Sequence, residues 1–294
     1  MRVIIYGKQT ENDLQHHLAT FIDRLNRLKV EYWIEEAFFK LLNNSSVSDS
    51  LKPEKVFGQK KELENQKFDL FFAFGGDGTI LSAVCLVGSS GIPIVGVNTG
   101  RLGFLSTLQL SALAENLDDL LNQQYNLSPR SLLEVSSENL SFSNPYALNE
   151  ITLSRKETTS MVSIETHLKS GFVSSYWADG LIIATPTGST GYSLSCGGPI
   201  VSPNTSNIVL TPIAPHNLNA RPFIISDNEV LECTIRSRET QCLISLDARI
   251  HSFNSGSKFV IKKAPFLINM VQTLDYTYAK TLREKLQWGQ DSRT

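Results

Sequence analysis

Cysteine is scarce in this chain and is not arranged for chemistry. The 294 residues include four, Cys85, Cys196, Cys233 and Cys242. None forms a CxxC pair, and no Cys/His cluster has zinc spacing. A disulfide scaffold and a zinc module are thereby excluded, and buried thiols in a reducing compartment are expected. His16, His17, His167, His216 and His251 show no ligand spacing either. Long apolar runs are missing: no stretch approaches the roughly 20 residues that cross a bilayer. No secretory leader is read at the start, because Met1 to Gly7 runs directly into a strand pattern, so a cytoplasmic location is expected. Charge is modest, with 19% charged residues and a net charge of −2. That balance argues against a nucleic-acid or membrane partner, both of which favour a basic excess. No basic amphipathic helix, lipidation signal, internal repeat or low-complexity segment is found. Two nucleotide-binding signatures are also absent. Gly75 to Thr79 lacks the lysine of a Walker A loop, and Gly76 to Leu81 does not complete GxGxxG.

What is present is ordinary globular sequence, 41% apolar and long enough for one or two domains. The first third alternates strand and helix signals. Val3 to Tyr6 reads as a strand. Glu11 to Leu28 carries Leu14, Leu18, Phe21, Ile22, Leu25 and Leu28 on one helical face. Val30 to Ile34 reads as a strand, Ala37 to Leu42 as a short helix, and the polar stretch Asn43 to Gln66 as an exposed loop with some helix. Asp69 to Ala73 and Ile92 to Val97 are further strands. This alternation predicts a parallel, doubly wound, Rossmann-like sheet. A helix-like stretch, Ala112 to Leu121, is expected to end by Ser128-Pro129-Arg130. Short strand-like runs then dominate to about residue 269, among them Ile182 to Ala184, Ile208 to Leu210, Phe223 to Ile225, Val230 to Ile235 and Phe259 to Ile261. They predict an all-β, sandwich-like second domain. Tyr276 to Trp288 places Tyr278, Leu282 and Leu286 on one face of a packing helix. The expected division is 1–128 plus 270–294 against 129–269.

Two runs carry chemistry. Phe74-Gly75-Gly76-Asp77-Gly78-Thr79 joins a buried strand to a helix. Three glycines there let backbone N–H groups approach an anion, and a carboxylate sits in the middle of the turn. A phosphate cradle beside a proton acceptor is a phosphoryl-transfer arrangement, although a plain strand-to-helix turn uses the same residues. The second run extends from Asp179-Gly180 through Thr185-Pro186-Thr187-Gly188-Ser189-Thr190-Gly191-Tyr192-Ser193-Leu194-Ser195 to Gly197-Gly198-Pro199. Its glycines tolerate positive φ, and its hydroxyls and N–H groups suit a ligand bearing phosphate or ribose. Tyr192 either stacks on a base or fills core. Asn149-Glu150, at a strand entrance, pairs an amide with a carboxylate, and both can bond sugar hydroxyls.

Taken together these segments resemble the NAD kinase family. Its GGDGT pattern appears as Gly75 to Thr79, its NTGxLGFL as Asn98 to Leu105, and its NE as Asn149-Glu150. Its DG and TPTGSTAYS appear as Asp179-Gly180 and Thr185 to Ser193. Thr211 to His216 and Arg221-Pro222 continue the match. The resemblance implies an α/β N-terminal domain, a β-rich C-terminal domain and a site between them. It implies ATP, with a divalent cation such as Mg²⁺, phosphorylating the 2′-hydroxyl of the adenosine ribose of NAD. No protein-held metal site is implied, and a homo-oligomer, dimer or tetramer, is. Mapped by motif, Asp77 is the proton acceptor. Gly75, Gly76, Gly78 and Thr79 serve the phosphates, with Gly78 also against the dinucleotide. Asn149, Glu150, Asp179, Thr190, Gly191, Tyr192, Ser193, Leu194 and Ser195 line the NAD site. Ser160 and Ala214 join them by spacing. Two departures stand out. Gly191 replaces the family's usual alanine, and Asp247-Ala248-Arg249 replaces a DGQ-like segment. Arg249 thus brings a positive charge to the expected NAD site, and the choice between NAD and NADH stays open.

A carboxylate is a far weaker base than a ribose alkoxide, so Asp77 would accept the proton late, as the new oxygen–phosphorus bond forms. Two other readings use the same residues. A lipid kinase shares the glycine turn but fits Asn149-Glu150 and the 185–195 run poorly. A non-catalytic dinucleotide sensor would not need Asp77.

Overall fold

The computed structural model describes residues 1–10, 12–100, 103–157 and 160–288. Glu11, Arg101 and Leu102, all within segments read above, lie outside the described residues. The chain divides into two compact units, residues 1–129 with 268–294, and residues 130–267.

The first unit opens with β1 (Arg2–Gly7), α1 (Asn12–Arg27), β2 (Glu31–Glu35), α2 (Glu36–Asn43) and β3 (Lys55–Phe57). It continues with β4 (Leu70–Phe74), α3 (Asp77–Val87), β5 (Ile94–Asn98), β6 (Leu108–Gln109) and α4 (Leu113–Leu121). The sheet runs in the order β5-β4-β1-β2-β3, every pair parallel. Residue 270, from the far end of the chain, adds a parallel pairing to β5. Strands β1, β4 and β5 are buried almost throughout because helices cover both faces of such a sheet. Leu14, Leu18, Phe21, Ile22 and Leu25 of α1 enter the core as their spacing predicts. Leu28 does not: the helix ends at Arg27 and Leu28 is exposed. The polar stretch after α2 is more ordered than expected. It contains β3 and two 3₁₀ turns, and Val47, Phe57 and Leu63 anchor it in the interior. The C-terminal helix (Tyr278–Leu286) buries Thr281, whereas Tyr278, Leu282 and Leu286 are only half-buried. Strand order reverses between β1 and β4, and ligands of doubly wound sheets bind beyond the carboxyl ends of strands at such a point. Gly75 to Thr79 leaves the carboxyl end of β4.

The second unit is antiparallel. Its elements are β7 (Asn126–Ser136, from Arg130 onward), β8 (Tyr146–Ala147), β9 (Glu150–Arg155), β10 (Val162–Leu168), β11 (Gly171–Ala178), β12 (Gly180–Ala184), α5 (Tyr192–Ser195) and β13 (Asn207–Ile213). Strands β14 (Phe223–Ser226), β15 (Leu231–Arg236), β16 (Gln241–Leu246), β17 (Arg249–Asn254) and β18 (Lys258–Gln272, up to Leu267) follow. One sheet is ordered β14-β13-β12-β9-β16-β17, and the other contains β11-β10-β15-β18. Alternate side chains of both, such as Ile151, Leu181, Ile164 and Phe259, meet in one core. The expected α/β first domain and all-β second domain are therefore both found. Ser128-Pro129-Arg130 is a correction: these residues lie inside β7 and do not close a helix. Pro129 points to solvent while Ser128 and Arg130 are buried, an arrangement that tolerates a proline in a strand.

Candidate functional site

In the first unit, Asp77 is the first residue of α3, with Gly76 as its N-cap. A negative side chain is favourable there because the free N–H groups of the first turn face it. Gly75 is obligatory. Its φ is +150°, and a Cβ would lie 2.3 Å from Thr79 Oγ1. Gly76 and Gly78 differ: a Cβ at either would meet nothing within 4 Å. Both are exposed, so neither packing nor backbone angle demands a glycine, and the turn keeps an open face where backbone can approach a ligand closely. Lys8, just past β1, donates from Nζ to Ser82 Oγ at 2.5 Å, and Ser82 Oγ donates to the Gly78 carbonyl at 3.0 Å. A cation thus stands beside the open glycines.

The half-buried Asp77 carboxylate is held at both oxygens. Phe104 N–H donates to Oδ2 at 2.9 Å and Leu105 N–H to Oδ1 at 3.1 Å. Gly103 allows this approach, since a Cβ there would lie 1.7 Å from Asp77 Oδ1. GGDGT and the end of NTGxLGFL are therefore one constellation.

In the second unit, Asn149-Glu150 opens β9 and is strapped from two sides. Asp247 accepts the N–H groups of Leu148, Asn149 and Glu150 at 3.0, 2.7 and 3.3 Å. From the other side Thr185 N–H donates to the Asn149 carbonyl and Thr185 Oγ1 to the Leu148 carbonyl. A Cβ at Gly188 would lie 2.1 Å from the Asn149 carbonyl oxygen, and one at Gly191 would lie 3.0 Å from Glu150 Oε2. Tyr192 N–H donates to the Glu150 carboxylate, whose pKa is pushed up to about 7, first by burial and then by the charge of Asp247. Asp247 is raised too, by burial, against the pull of its N–H donors and Arg249. Among the described residues, Asn149 Oδ1, Glu150 Oε2, Ser160 Oγ and Thr187 Oγ1 are buried polar atoms with no partner. Such atoms cost stability unless something, a ligand or an ordered water, satisfies them.

The structure brings Asn149, Glu150, Gly191 and Tyr192 together. Asp179 is held by Arg155 at 2.8 Å, and its N–H donates to the Ile213 carbonyl, beside Ala214. Ala214 is exposed and left-handed, with φ of 43°, a strained state for alanine. Leu194 is half-buried, and Tyr192 and Ser195 are exposed. Other hydroxyls of the 185–195 run turn inward. Ser193 bonds Thr211 Oγ1, Ser189 the Pro186 carbonyl, and Thr190 the Thr187 carbonyl. The run is folded into a 3₁₀ turn and α5, and positive φ occurs only past its end, at Gly197. Gly188 and Gly198 are needed for close approach instead, while Gly191 is tight without being obligatory. Arg249 spends its guanidinium on the Asn144 and Tyr146 carbonyls, 4.0 Å from Asp247. Lys8, Ser106 and the supporting role of Asp247 escaped the sequence reading, and Asn98 is read there only as the first residue of NTGxLGFL. Only the adjacency of Ser106 to that motif could have pointed to one of them.

Family models describe the same two segments. The ATP-NAD kinase N-terminal domain matches residues 9–125, and the ATP-NAD kinase C-terminal domain matches residues 148–273. The NAD kinase of Christiangramia forsetii is 45% identical over 296 residues, with 100% of both chains covered. The chain belongs to the ATP-NAD kinase family. The NAD kinase of Cytophaga hutchinsonii is 40% identical, with 98% of each chain covered. Among solved structures, an NAD kinase from Archaeoglobus fulgidus in complex with ATP superposes with a TM-score of 0.76. It is 26% identical, with 98% of this chain and 99% of that one covered. Yeast NADH kinase complexed with NADH gives a TM-score of 0.87 at 24% identity, covering 99% and 88%, a likeness of fold. No helix among the described residues is long and apolar enough to cross a membrane.

Proposed function

We infer that the protein is an NAD kinase, transferring the γ-phosphoryl of ATP to the 2′-hydroxyl of the adenosine ribose of NAD and releasing NADP and ADP. Family membership supports the reaction, and the ATP complex of the Archaeoglobus relative supports the donor. One observation carries the mechanism: the Asp77 carboxylate, pinned by two N–H groups beside an open glycine turn. The ribose oxygen attacks phosphorus, the bond from the γ-phosphorus to the β-bridging oxygen breaks, and the hydroxyl proton passes to Asp77 as the new bond forms. Gly76 and Gly78 let backbone reach the phosphates closely, Gly75 and Thr79 shape the turn, and Lys8 offsets phosphate charge. Catalysis is then mostly positioning and charge neutralisation.

The first unit serves phosphoryl transfer and the second recognises NAD. Asn149 Oδ1 and Glu150 Oε2 are free to accept from ligand hydroxyl or amide groups. Asp179, Ser160, the 190–195 segment and Ala214 line the same dinucleotide, and Arg249 acts on it through the 144–146 segment it holds. Among the described residues no group of three or more His, Cys, Asp or Glu could hold a metal ion. Mg²⁺ is assigned to the substrate, entering on the ATP phosphates, as is usual for this cation. The edge strands of the second unit carry exposed Phe172, Trp177, Phe223, Ile224 and Ile250, which supports a homo-oligomer.

The test is a coupled assay with purified protein, ATP, Mg²⁺ and NAD, read by an NADP-specific dehydrogenase. The expected signal requires all three additions and is lost in Asp77→Asn. Silence with NAD, NADH and polyphosphate alike, with dinucleotide binding intact, would replace the kinase with a sensor.

A further inference from the structure

Three successive N–H groups, those of Gly103, Phe104 and Leu105, converge on two side chains. Phe104 and Leu105 donate to the two oxygens of Asp77. Gly103 donates to Ser106 Oγ at 3.1 Å. Ser106 Oγ also accepts from Asn98 Nδ2 at 2.9 Å, and Asn98 Oδ1 accepts from Gly100 N–H at 2.8 Å. Asn98 and Ser106 are 1% and 3% exposed, so these bonds work in a water-poor setting. Asn98 is the last residue of β5, and Gly96 within that strand has room for no side chain. A Cβ there would lie 3.0 Å from Ser106 Cα and 3.3 Å from the Leu105 carbonyl oxygen. The returning loop is thus pressed against β5 by a glycine and buttoned to its end by an amide–hydroxyl bond.

The torsion that rotates a carboxylate about its own axis is broad and poorly defined by rotamer preference alone. One N–H on each oxygen removes that freedom. We propose that Asn98 and Ser106 are positioning residues for the phosphoryl transfer, forming a clasp that fixes the 103–105 loop and thereby the rotation of the Asp77 carboxylate. The proposal rests on the role given to Asp77 above. Neither residue touches substrate. Each acts through two backbone N–H groups, and a small misplacement of a catalytic group can cost on the order of 10²-fold in rate.

The experiment compares wild type, Ser106→Ala, Gly103→Ala, Asp77→Asn and the double variants in the coupled assay, with NAD dissociation constants and melting curves for each. Gly103→Ala provides a second route to the same carboxylate, because the three atoms nearest its new Cβ all belong to Asp77. The expected result is a kcat lower by about 10-fold or more in Ser106→Ala and Gly103→Ala, with KM and NAD affinity within about twofold. In the Asp77→Asn background the same substitutions are expected to cost less than about twofold further, because a group that acts through Asp77 has nothing left to aim. A merely structural role would instead multiply in full. Unchanged kcat in folded Ser106→Ala, full multiplicativity, or a raised KM at constant kcat overturns the clasp. If Ser106→Ala does not fold, Asn98→Ala, which removes the other side of the same hydrogen bond, decides by the same criteria. Wild-type turnover in Asp77→Asn overturns the base and the clasp together, whereas an inactive Asp77→Asn beside fully active clasp variants overturns the clasp only.

Discussion

Asp77 and Asp247 meet the backbone in the same way and end in opposite conditions. Each collects N–H groups from a loop distant in sequence, 27 and 28 residues on for Asp77, and 97 to 99 residues back for Asp247. Asp77 takes one bond on each oxygen and remains half-buried. Asp247 takes three, its side chain is only 4% exposed, and it sits in a left-handed turn with φ of 51°. The first is held and still available; the second is consumed. A carboxylate at a backbone crossing becomes a reagent or a strut according to how much of it water can reach. Glu150 lies between these conditions: it is 9% exposed, has one unpartnered oxygen, and has a pKa pushed up to about 7.

Breaking the reagent gives the largest expected effect. Asp77→Asn should lower kcat on the order of 10²-fold or more while NAD affinity persists, as read in the coupled assay and by calorimetry. An amide must also turn its NH₂ toward one of two N–H donors, so a modest loss of melting temperature is expected beside it. Breaking the strut should reverse the pattern. Asp247→Ala leaves three N–H groups without their acceptor and should cost about 2–4 kcal/mol of stability, several degrees in a thermal melt. Turnover at low temperature should fall much less than in Asp77→Asn. If Asp247→Ala instead melts like wild type, the distinction between the two carboxylates fails.

Glu150 sharpens the comparison through pH. Its folded pKa, about 7, lies above its ordinary value of 4.5, so between those values the folded state holds a proton that the unfolded state has released. The contribution of Glu150 to stability is therefore fully present below about 4.5 and is lost as pH rises through 7. Removing the charge with Glu150→Gln should raise stability at pH 8 by at most about 3 kcal/mol and change it little at pH 4.5. Melting curves across that range check the sign. The smallest effect belongs to Gly191→Ala, the family's usual residue. Its Cβ would stand 3.0 Å from Glu150 Oε2 and 3.2 Å from the Gly188 carbonyl oxygen, so the turn must give by a few tenths of an ångström. Stability should change by less than about 1 kcal/mol, and KM for NAD by no more than a few-fold in steady-state assays.

The parts that were legible in the sequence are those encoded locally. The face of α1 and the turn after β4 show in spacing and in clustered glycines, because periodicity and backbone freedom are properties of neighbouring residues. Strand β3 was not legible, since a three-residue edge strand carries too little apolar text to stand out from the lysines and glutamates around it. Ser128-Pro129 reads as punctuation, yet Pro129 faces solvent and the strand continues through it. Asp77 and Asn149-Glu150 could be picked by residue type and motif. Their supports, Ser106 for one and Asp247 for the other, are defined by pairings that only the folded chain creates. The hydroxyls of the 185–195 run mislead for a related reason: an inward serine and an outward one are spelled the same.

The first unit is completed by residues 268–294. Met270 pairs with Ile94 of β5, Val271 enters the core, and the Thr107 hydroxyl donates to the Val271 carbonyl at 2.7 Å. Thr107 immediately follows Ser106. On the ribosome, then, the sheet bearing the glycine turn is made early but gains this pairing only as the last tenth of the chain emerges, directly after residue 267 completes the second unit. The two units are therefore completed almost together, and the first, though begun earliest, waits for a tail that follows the last strand of the second.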